Sequence, residues 1–113
     1  MKYELVHVGL NLKNEEEALQ TAKLLSLLFD LKIREGQKSI FAGEYFECMR
    51  SPYLGAMGHI AMGTPDLEAA VAELREKGFA FREDTAQYDE DGKLKNIYLD
   101  DEFGGFAIHL MQK

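Results

Sequence analysis

The chain has 113 residues, 46% of them hydrophobic and 29% charged, with 20 acidic and 13 basic side chains and a formal net charge of −7. That length fits one compact domain over residues 1–113, and the acidic balance excludes nucleic acid as a partner, because phosphate binding needs a basic face. Cys48, the single cysteine, excludes an internal disulfide, and no stretch resembles a leader or is long enough to span a membrane, so the expectation is a soluble cytoplasmic protein.

Tyr3–Leu12 alternates as a strand. Asn14 offers an N-cap, and Glu17 three residues on completes a capping box. The helix is predicted to run to about Phe29, with Ala18, Ala22, Leu25 and Leu28 along one face. Leu31–Arg34, Ser39–Ala42 and Glu44–Arg50 read as short strands, with Gly36 and Gly43 where turns are needed. The order is βαβββ.

The plan then repeats. HVGLNLKNEEEALQTA from His7 and HIAMGTPDLEAAVAEL from His59 each run from a histidine in a short strand, through a polar turn, into a helix. Gly58–Gly63 is the second copy's first strand, with Thr64 as cap and Pro65 at the first helical position. Ala69, Ala70 and Leu74 make its buried stripe, and Gly78 stops it. Phe79–Tyr88, Leu94–Asp100 and Phe106–Met111 are the remaining strands, with Asp89-Glu90-Asp91-Gly92 as a hairpin turn lacking the ligand spacing of a calcium loop. Two copies are too few for a solenoid. The fold class is α+β: two βαβββ modules, about 1–53 and 54–113, pairing into one cup-shaped mixed sheet with helices on its outer face.

Side chains alternate across a strand. Val6, Val8, Leu10 and Leu12 share the face expected to meet the helix; His7, Gly9 and Asn11 share the other. His59, Ala61 and Gly63 repeat this arrangement. In the terminal strands, Glu47 in EYFECMR and His109 in GFAIHLM occupy matching places. The concave face should therefore receive His7, Glu47, His59 and His109, three nitrogens and one carboxylate competent to hold a divalent metal. The competing reading is a set of packing residues that holds no metal. All three histidines of the chain and Glu47 falling on repeat-matched positions favours the shared site.

These residues carry a resemblance. The starts HVGLNLKN and HIAMGTPD and the terminal strands EYFECM and GFAIHL resemble the vicinal oxygen chelate superfamily, which includes glyoxalase I, fosfomycin and bleomycin resistance proteins and extradiol dioxygenases. SIFAG, SPYLG–GHIA, NIYL and GGFAIHLMQK are similar to the glyoxalase-like domain appended to some bacterial ketohydroxyglutarate/ketodeoxyphosphogluconate aldolases; the aldolase barrel itself is absent. The resemblance implies that His7 and His59 are first-strand metal ligands and Glu47 the terminal-strand carboxylate. His109 stands where many members have a second glutamate, which leaves Glu47 as the one carboxylate able to act as catalytic base. Such a set favours zinc, nickel, cobalt, manganese or iron over calcium. The implied chemistry is that of a lyase or isomerase: a small α-hydroxyketone or α-keto acid chelates the metal, which stabilises the enediolate left by α-proton loss.

Asn11, Tyr45, Met49 and Met111 fall on the inferred cup face as candidate substrate contacts, and Arg50 and Arg82 as candidate anchors for an acidic substrate. Cys48 is expected opposite Glu47, as a packed thiol. Two alternatives to an enzyme stand beside it: a non-catalytic ligand-binding protein, disfavoured by the absence of Trp, and an accessory module for a separate aldolase chain. A homodimer is expected.

Overall fold

The computed structural model describes residues 1–113. In chain order the elements are β1 (Glu4–Asn11), α1 (Glu15–Phe29), β2 (Ile33–Glu35), β3 (Ser39–Ala42), β4 (Phe46–Met49), β5 (Gly58–Thr64), α2 (Leu67–Glu76), β6 (Phe81–Tyr88), β7 (Leu94–Phe103) and β8 (Phe106–Gln112). The eight strands form one open mixed sheet in the order β2-β3-β4-β1-β5-β8-β7-β6. The helices lie on one side of it. The central β1–β5 pair is antiparallel, while β1–β4 and β5–β8 are parallel. Each βαβββ run thus folds its last strand back beside its first, and the two first strands join the halves within one chain.

Local chemistry sets the helix ends. Asn14 is extended and its side chain accepts from the Glu17 amide at 2.9 Å. Asp30, at φ 55, turns the chain out of α1. The second helix departs from the sequence reading: β5 continues through Thr64, and Asp66, not Thr64, is the N-cap, accepting from the Ala69 amide at 3.2 Å. Pro65 precedes that cap instead of opening the helix.

Two cores lie under the helices. Against α1, Ala18 and Ala22 meet Ile40, Ala42 and Cys48, with Leu10, Leu12 and Leu25 alongside. Against α2, Leu67 and Val71 meet Phe81, Leu94, Ile97 and Leu110. Leu28, read as part of the buried stripe, is instead 69% exposed, because α1 meets the sheet through its alanines and its far side faces outward. Cys48 is buried on the α1 side as expected, and burial, together with the Glu47 charge, pushes its thiol up to about 11.

Candidate metal centre

The opposite face of the sheet carries the site. His7 and His59 arrive from the antiparallel pair β1 and β5, Glu47 from β4 beside β1, and His109 from β8 beside β5. Glycine makes the arrangement possible: Gly9 is the register partner of His59, and a Cβ there would lie 2.1 Å from His59 Cε1. The His59 ring occupies that space.

Three ligand atoms converge. His7 Nε2 and His59 Nε2 face each other at 3.2 Å, and Glu47 Oε1 lies 3.1 Å from the first and 2.9 Å from the second. Two imidazole nitrogens this close cannot both present lone pairs without a proton or a cation between them. The triangle also has the edge lengths of a coordination shell, since ligand bonds of about 2.1 Å at right angles place donors about 3 Å apart. Ligand atoms of His7, His59 and His109 lie within 4.8 Å of one another. The donor set therefore fits a divalent transition metal.

Electrostatics follow the packing. Burial alone would raise the Glu47 carboxyl, but hydrogen bonds from His59, His7 and Ser39 and the charge of His7 outweigh it and hold the group well below the usual carboxylate range. Burial, then the nearby His59 and His7, lowers His109 from 6.5 to about 3, so its ring is neutral at neutral pH. Tyr98, stacked on His109 at 4.7 Å and 29°, is raised above the usual phenol range, chiefly by burial.

The four side chains line a cleft of about 550 Å³, whose lining residues are polar in all but three cases. Similar folds are known. A hypothetical protein from Bacillus halodurans C-125 superposes with a TM-score of 0.66 at 20% identity, covering 100% of this chain and 96% of that one. A methylmalonyl-CoA epimerase in complex with methylmalonyl-CoA and NH4+ gives 0.63 at 17% identity, covering 97% and 94%. The Streptomyces coelicolor methylmalonyl-CoA epimerase in complex with 2-nitronate-propionyl-CoA gives 0.59 at 17% identity, covering 94% of each. The chain shares the α+β fold of these proteins. No protein-family model and no curated protein matches the sequence.

Within that fold the predicted substrate contacts separate. Met49 lines the cleft; Asn11, Tyr45 and Met111 do not. The Asn11 amide is spent on the following loop, donating to Tyr53 O and Gly55 O at 3.2 and 2.8 Å and accepting from the Tyr53 amide at 3.2 Å. It acts indirectly, because Tyr53 lines the cleft and meets Tyr98 edge-on at 5.7 Å. Tyr45 lies in the turn before β4 and is 52% exposed. Met111 lies two residues beyond His109, about 7 Å along the strand. Of the two arginines, Arg50 lines the cleft but is held by Glu15, Glu35 and the Gly36 carbonyl, and Arg82 pairs with Asp84, so neither is a free anchor.

Sequence reading missed Ser39, Asn96, Tyr98 and Lys38. Ser39 Oγ donates to Glu47 Oε2 at 2.7 Å, and Asn96 Oδ1 lies 2.5 Å from His109 Nδ1. Parity along the predicted strands assigns Asn96 and Tyr98 to one face, but only the register between strands brings them to His109.

Proposed function

We propose that this protein is a glyoxalase-like, metal-dependent isomerase or lyase acting on a small chelating substrate, an α-hydroxyketone or α-keto acid, in one two-module domain. The carrying observation is the convergence of His7 Nε2, His59 Nε2 and Glu47 Oε1 within 3.2 Å of one another, with His109 alongside. His7, Glu47, His59 and His109 would hold a divalent transition metal, which when bound supplies Lewis acidity toward a substrate carbonyl.

Glu47 is the catalytic base. Ser39 holds its Oε2, and Oε1, which faces both imidazoles, would serve as ligand and as base in turn. Two of the three hydrogen bonds that depress its carboxyl come from His7 and His59. Lys38 lines the same cleft and forms no ion pair, which favours the keto acid over a neutral ketone. That an epimerase shares the fold agrees with isomerase chemistry.

The test is α-proton exchange in deuterated water across a panel of α-hydroxyketones and α-keto acids, with zinc, nickel, cobalt, manganese or ferrous iron supplied. Exchange with at least one substrate, falling about 10²–10⁴-fold in Glu47→Gln, is expected. A Glu47→Gln protein with full exchange removes the base role.

One observation favours a second reading, a binding or accessory module in the cytoplasm. Leu24, Leu27, Leu28 and Phe29 are 54 to 83% exposed on α1, an apolar patch suited to another protein surface. A homodimer would cover it, and an aldolase chain is the alternative partner. Sedimentation of the protein alone and with such an aldolase separates the two.

A further inference from the structure

The two halves repeat a register that reaches beyond the metal donors. In the first, Phe41 pairs with Glu47 and Ser39 with Met49; in the second, Tyr98 pairs with His109 and Asn96 with Met111. Ser39 and Asn96 are therefore repeat equivalents. Each stands diagonally across from the corner donor of its own half, and each hydrogen-bonds it: Ser39 Oγ to Glu47 Oε2 at 2.7 Å, Asn96 Oδ1 to His109 Nδ1 at 2.5 Å. The aromatic neighbours match too, since Phe41 meets His7 edge-on at 5.7 Å and Tyr98 meets His59 edge-on at 6.3 Å.

We infer that Asn96 is the positioning residue of the fourth corner, its Oδ1 accepting the His109 Nδ1–H and so fixing the tautomer that leaves Nε2 as the ligand atom. A histidine ligand with its second nitrogen held by an acceptor keeps one tautomer and one orientation. Here the orientation is fixed twice. Asn96 holds one ring nitrogen, and Tyr98 stacked at 4.7 Å holds the ring plane. His59 offers the contrast: its Nδ1 is buried with no partner, so no acceptor holds its second nitrogen, and the ring is seated by the space above Gly9 and by Glu47 at Nε2. With the amide reversed, Asn96 would donate to Nδ1, the proton would sit on Nε2, and His109 could not ligate through that atom.

The metal-affinity part of this inference rests on the proposed function; the tautomer does not. Long-range proton–nitrogen correlation on the metal-free, nitrogen-labelled protein reads the tautomer directly. His109 is expected as the Nδ1–H form, retained in Asn96→Asp and lost in Asn96→Leu. Competition titration with zinc or cobalt is expected to show Asn96→Leu weaker by about 10–100-fold, and Asn96→Asp restored to the wild-type range. An Nε2–H ring in the wild type overturns the inference, as does an Asn96→Leu protein that keeps both tautomer and affinity. Should Asn96→Leu not fold, the wild-type tautomer decides alone. Should the wild type take up no metal, the proposed function fails while the tautomer is still read.

Discussion

Residues 4–49 and residues 58–112 build half-sheets of matching register and fill them with different side chains. Glu47 in one half answers to His109 in the other, Ser39 to Asn96, Phe41 to Tyr98 and Gly9 to Ala61. The cores differ as well: small residues let α1 lie close on its half, while Leu67, Phe81, Leu94 and Ile97 fill the space under α2. The repeated part is the backbone, with its pairing and its alternation of faces. The chemistry lies in what differs, at positions the register holds fixed.

The largest expected effect comes from exchanging one such pair. In Gly9→Ala the new Cβ would lie 2.1 Å from His59 Cε1, so the ring must leave its place. Metal affinity is expected to fall on the order of 100-fold. The reciprocal Ala61→Gly removes a Cβ beside His7 and should lower stability by about 1 kcal/mol with the site intact. Equal affinities in the two variants would mean that the halves do not differ in how their histidines are seated.

The cores separate next. Leu67→Ala, at a fully buried position, should lower unfolding free energy by about 2–5 kcal/mol. Leu28→Ala, at a residue 69% exposed, should shift it by no more than about 0.5 kcal/mol. Denaturant midpoints of the two variants check this.

The corners ionise in opposite senses, Glu47 to an anion and His109 to a cation, but both make the metal-free protein sensitive to acid. His109 takes a proton below 6.5 when unfolded and resists until about 3 when folded, so the unfolded state binds more protons across that window. Stability is then fully present above pH 6.5 and falls as pH drops, by about 2–3 kcal/mol from pH 7 to pH 4.5. The Glu47 carboxyl, depressed on folding, contributes stability above its ordinary value of 4.5 and adds a loss of the same sign below it. His109→Gln should flatten the window between pH 6.5 and 4.5 in urea titrations and leave the Glu47 part in place.

The smallest effects should be nearly alike. Asn14→Ala and Asp66→Ala each remove an N-cap bond and should each lower stability by about 1 kcal/mol.

Much of this architecture is legible in the chain. The alternation of Val6, Val8 and Leu10 with His7, Gly9 and Asn11 sets the faces, and the repeat sets the pairing of halves. Parity placed His7, Glu47, His59 and His109 on one side, where the structure brings them together. It could not separate Met49 from Asn11 and Met111, because a shared face does not say how far along the strand the cleft extends. Ser39 and Asn96 stayed invisible for a related reason: their partners lie on neighbouring strands, and the diagonal contact exists only once register is known. Thr64 and Leu28 failed locally. Asp66 is a stronger cap and the strand ran on, while an alanine face on α1 left its leucines facing out.

The most direct test of the central claim is metal content by elemental analysis of the untagged protein, alongside His59→Ala. About one divalent transition metal per chain in the wild type, lost in His59→Ala, is the predicted result. A wild type that carries none and takes up none from micromolar zinc, nickel, cobalt, manganese or iron would contradict it and leave His7, His59 and His109 as packing residues of a binding cleft.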